Sequence, residues 1–90
     1  MPKYIVERDI PNAGSLTAEQ LQGIAQTSCS TSAKMDTRIN WVESYVTDDK
    51  VYCVLIAPSE DALREHSEKG GFPVTKISRV TGMIDPSTAE

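Results

Sequence analysis

The sequence is poor in the residues that build metal centres and covalent active sites. It has one histidine, His66, and two cysteines, Cys29 and Cys53. It contains no Cys-x-x-Cys pair, no His-Glu-x-x-His motif and no glycine-rich phosphate loop. These absences exclude a histidine-rich site within one chain and a phosphate cradle. Because the first residues do not resemble an export signal, the two cysteines are predicted to be free thiols.

The chain also lacks an excess of positive charge and a long apolar run. Nine lysines and arginines stand against thirteen acidic residues, which gives a net charge of −4. An acidic chain without a basic stripe does not favour binding to nucleic acid or to an anionic membrane. No stretch approaches the ~20 apolar residues of a membrane helix. We expect a cytoplasmic protein, and its composition leaves open a cation, a cationic substrate or a neutral small molecule as the ligand.

What the sequence does contain is a well-defined hairpin at residues 38–57. Two runs rich in β-branched and aromatic residues are joined at Asp48-Asp49. If Thr47 and Lys50 flank a two-residue turn, alternate residues share a face. One face, predicted to lie under helices, then carries Val42, Ser44, Val46, Val51, Cys53 and Leu55. The other face, predicted to form a ligand pocket or a dimer face, carries Trp41, Glu43, Tyr45, Tyr52, Val54 and Ile56.

Capping and turn signals divide the rest of the chain. Thr17 and Gln20 form a capping-box pattern at the start of a helix that is predicted to run to about Lys34. Ser59 is the predicted N-cap of a second helix, which Gly70-Gly71-Phe72-Pro73 should end. The predicted first strand runs from Lys3 to Ile10 and the last from Thr75 to Ile84. Residues 85–90 are expected to be a polar tail.

The resulting order is strand, helix, strand, strand, helix, strand. This order predicts one α+β domain over residues 1–90 with the ferredoxin-like βαββαβ arrangement. Its four-stranded antiparallel sheet should carry both helices on one face. The aromatic face would then be uncovered in a monomer, and an exposed apolar face of this kind marks an interface or a ligand groove. Pairing of two sheets would bury it, so we expect a homodimer with the shape of an α+β barrel.

His66 is the first candidate for chemistry. It follows Leu63 by three residues and Ala62 by four, so its side chain should point toward the core. A structural role is one interpretation, with the ring bonded to a backbone carbonyl near the helix end. A metal ligand is another, completed by carboxylates such as Glu65 and Glu68 or by a second subunit. A nucleophile pair with Cys53 is a third.

Two carboxylates, Glu7 and Glu43, lie within predicted strands. A carboxylate on a sheet face that a dimer buries needs a partner, which Arg8 or Arg38 would supply. In an alternative interpretation, Glu43 is a general base with a raised pKa in a pocket that it lines with aromatic side chains of the same face (Trp41, Tyr45 and Tyr52).

Four stretches carry a family resemblance: residues 4–11 (YIVERDIP), 41–58 (WVESYVTDDKVYCVLIAP), 64–73 (REHSEKGGFP) and 84–90 (IDPSTAE). Through them, most of the chain resembles a family of small bacterial proteins that is labelled nickel-binding. The resemblance implies a ferredoxin-like homodimer that binds or sequesters nickel, with His66 as the first ligand and Glu65 and Glu68 as neighbouring ones. It favours a binding protein over an enzyme. The alternative is a cofactor-free α+β barrel enzyme, or a small-molecule-binding module, with a pocket at the sheet face.

Overall fold

A computed structural model describes all residues 1–90 and contains one four-stranded antiparallel sheet. The strands are β1 (Lys3–Asp9), β2 (Asn40–Val46), β3 (Lys50–Ile56) and β4 (Lys76–Arg79), in the spatial order β2-β3-β1-β4. The helices are α1 (Ala18–Lys34) and α2 (Glu60–Gly70), with short 3-10 turns at Ala13–Ser15 and Pro86–Ala89. The predicted ferredoxin-like α+β fold is confirmed. Neither helix has the length and apolar content needed to cross a membrane.

The helix ends follow from the residues found there. The hydroxyl of Thr17 accepts a hydrogen bond from the backbone of Gln20, and the Gln20 side chain accepts one from the backbone of Thr17, which confirms the capping box. Ser59 accepts from the backbone of Ala62 at the start of α2. At its end, Gly71 adopts the left-handed conformation (φ 75°) that the predicted glycine stop requires.

The core lies between the sheet and α2. It is made of seven buried side chains: Tyr4, Val6, Ile39, Leu55, Ala57, Ala62 and Leu63. Helix α1 contributes no fully buried side chain, although its apolar stripe faces the sheet as the spacing predicted. The helix is therefore held at a distance, and a cavity opens beneath it.

The predicted hairpin register is confirmed near the turn and is wrong at the start of β2. The backbone amide of Thr47 donates to the carbonyl of Lys50, and Ser44 lies opposite Cys53 as predicted. Between Trp41 and Glu43 the register shifts by a β-bulge, so Trp41, not Val42, pairs with Leu55. The extra residue turns the Trp41 side chain to the helix side. The prediction that it shares a face with Tyr45 is wrong.

The last strand is shorter than predicted. Strand β4 ends at Arg79, and residues 80–85 contain no strand or helix. Two large apolar side chains of this segment, Met83 and Ile84, are 76% and 83% exposed. The expected polar tail contains a 3-10 turn, in which Asp85 accepts from the backbone of Ser87.

Candidate functional site

A cavity of about 200 Å³ lies between α1 and the helix-facing side of the sheet. Eleven of its fifteen lining residues are hydrophobic, so a ligand inside would have to be largely apolar. The wall from α1 consists of Leu21, Ile24, Ala25 and Ser28, and the wall from the hairpin consists of Trp41, Ser44, Val46, Val51, Cys53 and Leu55. Ile10, Leu16 and Phe72 close its sides, and Arg8 and His66 complete the lining.

The cavity has an exposed mouth and a buried polar end. Ile24, Trp41 and Val46 are more than one-third exposed and mark the mouth. Arg8 and His66, by contrast, are 4% and 1% exposed. A ligand that entered between the apolar residues would therefore meet a guanidinium and an imidazole at the far end.

Arg8 is a buried cation without an anionic partner. Its Nη1 donates to Ser67 Oγ at 3.0 Å and to the carbonyl of Pro73 at 2.8 Å, and its Nε donates to Cys53 Sγ at 3.4 Å. These acceptors are neutral, Nη2 makes no hydrogen bond, and no carboxylate forms an ion pair with the guanidinium. The Phe72 ring, whose centroid lies 5.4 Å from Cζ, gives a cation–π contact.

His66 joins the two helices. Its Nε2 lies 3.2 Å from the backbone oxygen of Ser28 on α1, and because a carbonyl only accepts, Nε2 must carry the proton. The other ring nitrogen, Nδ1, is buried and has no hydrogen-bond partner. Burial lowers the pKa of His66 below its usual value; the bond to Ser28 opposes this shift, and the nearby charge of Arg8 adds to it. The imidazole is thus neutral at pH 7, with an unused lone pair.

The predicted structural role of His66 as a partner of a backbone carbonyl agrees with this geometry. The proposed metal ligands Glu65 and Glu68 lie on the exposed part of α2, where Glu65 Oε1 is 3.4 Å from Lys69 Nζ. No group of three or more His, Cys, Asp or Glu side chains in the protomer is placed to hold a metal ion. One protomer therefore does not bring His66, Glu65 and Glu68 together as a nickel site.

The second candidate surface is the side of the sheet that no helix covers, which we call the open face. Its apolar members are Ile5, Tyr45, Tyr52, Val54 and Ile56, placed there by the register of the three paired strands. Tyr45 is 56% exposed and Ile5 is 39% exposed. The open face thus keeps the predicted residues Tyr45, Tyr52, Glu43 and Glu7 and loses Trp41 to the cavity.

The carboxylates of the open face do not use the partners predicted for them. Glu7 Oε1 lies 2.5 Å from Lys50 Nζ, and Asp9 lies 3.4 Å from the same nitrogen. The hydrogen bond to Glu7 raises the pKa of Lys50, opposed by its desolvation. Glu43 forms no ion pair. Arg8 points to the other side of the sheet, so it neutralises neither glutamate.

Sequence reasoning missed Arg8 as a site residue, although the signal was present. Tyr4, Val6 and Arg8 alternate along one strand, and alternate residues share a face. The burial of Tyr4 and Val6 therefore also placed Arg8 on the helix side. Both cysteines are free, as predicted: Cys29 is exposed, and Cys53 lines the cavity.

Comparison with known proteins gives a family and a related fold. Residues 4–80 match the family described as nickel responsive protein, SCO4226-like. The crystal structure of SCO4226 from Streptomyces coelicolor A3(2) superposes with a TM-score of 0.79, covering 91% of this chain and 99% of that one. The two sequences are 17% identical, so the superposition shows a shared fold. No curated protein sequence matches the chain.

Proposed function

Because the chain belongs to the SCO4226-like family of nickel responsive proteins, we propose that it acts as a cytoplasmic homodimer that binds divalent nickel. The observation that carries the proposal is the match to this family over residues 4–80. Imidazole nitrogen and carboxylate oxygen, the donors present in the chain, are ligands that nickel accepts.

The proposed homodimer rests on the open face. Its aromatic and branched side chains form a contiguous apolar surface on the side of the sheet without helices. Such a surface on a soluble protein marks an interaction site, and a second copy offers the matching surface through a two-fold axis. Met83 and Ile84, beyond β4, are two further exposed apolar side chains.

We propose that a nickel site in this protein draws on more than one protomer, because one protomer offers no group of three or more His, Cys, Asp or Glu side chains placed for a metal ion. The vacant nitrogen of His66 lies in the interior, whereas Glu65 and Glu68 face solvent. Glu43 is an exposed and unpaired carboxylate on the open face, where pairing of two protomers would bring two copies into one interface. We therefore propose ligands from both subunits, with Glu43 tested beside the sequence-predicted set of His66, Glu65 and Glu68.

Two measurements on tag-free protein test this function. Calorimetric titration with nickel should show micromolar or tighter binding. This binding should weaken in Glu43→Gln, in His66→Gln or in the double variant Glu65→Gln/Glu68→Gln. The control is Glu19→Gln, which changes an exposed carboxylate at the start of α1. Sedimentation should show a dimer that Tyr45→Lys dissociates and Thr27→Lys leaves intact. If the wild-type protein binds no nickel, the proposed nickel binding is wrong. If the wild-type protein is a monomer, the proposal that both subunits supply ligands is wrong.

A second candidate function is the binding of a small organic molecule, and the cavity beneath α1 favours it. The predicted aromatic pocket on the uncovered face of the sheet is not formed in the protomer. Instead, Trp41 lies at the mouth of the cavity on the other side. A pocket with apolar walls and a few polar groups at one end is the usual form of a small-molecule site. Quenching of the single tryptophan by a bound ligand would report occupancy.

A further inference from the structure

We propose that the cavity binds a small monocarboxylate with an apolar body, and that Arg8 receives the carboxylate. This inference rests on the second candidate function, because it names the chemical class of the ligand for the same cavity. It does not rest on nickel binding, because Arg8 is not among the proposed nickel ligands.

The first argument is the electrostatic state of Arg8. A guanidinium remains charged in proteins, and a buried charge is costly unless it is paired. Arg8 is 4% exposed and is surrounded by a hydroxyl, a carbonyl, a thiol and an aromatic ring, with no anion among them. Its Nη2 remains without an acceptor. A ligand carboxylate would supply both the missing negative charge and the missing acceptor.

The second argument is the orientation that the other groups impose. Nη1 and Nε are held by Ser67, Pro73 and Cys53, so the plane of the guanidinium is already set before a ligand arrives. Preorganisation of this kind reduces the entropy lost on binding. Beside it, His66 is neutral and its unbonded Nδ1 is buried, so Arg8 supplies the one positive charge at this end of the cavity. These features favour a monoanion.

The third argument is size. A dry cavity of about 150 Å³ with aliphatic and aromatic walls is sufficient for benzene. The present cavity of about 200 Å³ therefore accommodates one ring or a short branched chain together with a carboxylate. The apolar residues at the mouth, Ile24, Trp41 and Val46, would contact the body of the ligand, while its charge reaches the buried end.

The test compares benzoate, its neutral analogue benzamide and the cation benzamidine, using calorimetry and the fluorescence of Trp41. Wild-type protein should bind benzoate at least about tenfold more tightly than benzamide, since a hydrogen bond to a charged group contributes about 1.5–3 kcal/mol. Benzamidine should not bind measurably. The preference for the anion should disappear in Arg8→Gln and persist in Arg79→Gln, which changes an exposed arginine of β4 outside the cavity.

The comparison within the wild-type protein makes the test independent of the folding of the Arg8 variant. Equal binding of benzoate and benzamide would overturn the assignment of the ligand class while leaving the small-molecule pocket in place. A preference for benzoate that survives Arg8→Gln in folded protein would overturn the role of Arg8. Binding of none of the three probes would overturn both the ligand class and the small-molecule function.

Discussion

The indole Nε1 of Trp41 donates a hydrogen bond of 2.9 Å to the hydroxyl of Ser44, three residues further along the same strand. In a regular strand, residues three apart point to opposite faces. The β-bulge between Trp41 and Glu43 removes that restriction and lets both side chains line the cavity. This hydrogen bond therefore depends on the bulge, because a regular strand would place the two side chains on opposite faces.

Removal of the Ser44 hydroxyl should release the indole. Trp41 is 36% exposed, so water can replace the lost acceptor in Ser44→Ala. We expect the free energy of unfolding to fall by less than about 1 kcal/mol, with a red shift of the tryptophan emission as the ring gains contact with solvent. Urea denaturation followed by fluorescence measures both. An unchanged emission maximum would contradict the hydrogen bond as the anchor of the ring.

The two glycines of the helices should respond in opposite directions to alanine. A Cβ at Gly70 would lie 2.5 Å from Phe72 Cε2, so Gly70→Ala must displace the ring that contacts Arg8 and His66. We expect a loss of about 1–3 kcal/mol in the free energy of unfolding. At Gly23, a Cβ meets nothing within 4 Å, and the alanine variant should gain about 0.5–1 kcal/mol. Stabilisation by Gly70→Ala in chemical denaturation would contradict the close packing.

The stability of the protein should fall on acidification through the titration of His66. Its pKa in the folded protein is lowered by burial, so the unfolded chain binds a proton more readily than the folded one. The contribution of the neutral ring is complete above its ordinary pKa of about 6.5 and is lost progressively as the pH falls toward the folded value. Denaturation at pH 7.5 and 5.5, with His66→Gln as the reference, isolates this loss.

The same titration is directly visible because the chain has one histidine. An NMR titration of the imidazole should give an apparent pKa below about 6.5. The Nε2–H tautomer should persist above it, since Ser28 accepts that proton. A titration at or above the ordinary value would show that the ring is solvated in solution.

The N-cap of α1 offers a prediction about local stability. Thr17 accepts from the amide of Gln20 and belongs to a complete capping box. Thr17→Ala should cost about 1 kcal/mol, because the first-turn amide loses its acceptor. Amide hydrogen exchange should increase first at residues 18–21. Replacement of Thr27, whose hydroxyl bonds only to the carbonyl of Gly23 within the helix, should leave exchange in that first turn unchanged.

The elements that could be predicted from the sequence are those with local causes. The capping box at Thr17, the glycine stop at Gly71 and the turn between Thr47 and Lys50 each depend on residues within a few positions. Together with the order of the strands, they were sufficient for the ferredoxin-like fold. Alternation along β3 also placed Tyr52 correctly on the open face.

The elements that could not be predicted depend on contacts across the fold. No glycine marks the bulge at Trp41, so nothing local signalled that this ring would leave the aromatic face. The end of β4 at Arg79 is likewise set by its pairing with β1, whose partner residues begin at Tyr4. The cavity itself is a property of the distance between α1 and the sheet, and periodicity along the helix carries no information about that distance.

The tip of the hairpin is fastened to the chain that leads into α1. Asp49 receives the amide of Ile10 on its carbonyl and that of Asn12 on its side chain, and Asp48 receives the amide of Gly14. A Cβ at Gly14 would lie 3.0 Å from Asp48 Cα, so the two segments are in close contact. These bonds make the hairpin side of the cavity a rigid wall.

Helix α1 has no fully buried side chain, so it is the wall of the cavity that we expect to move. Segments with few buried contacts open at lower free energy than the core. Any widening of the mouth would therefore come from a movement of α1, which the bond between His66 and Ser28 ties to α2. His66, which lies at the polar end of the cavity, therefore also restrains the helix that forms its movable wall.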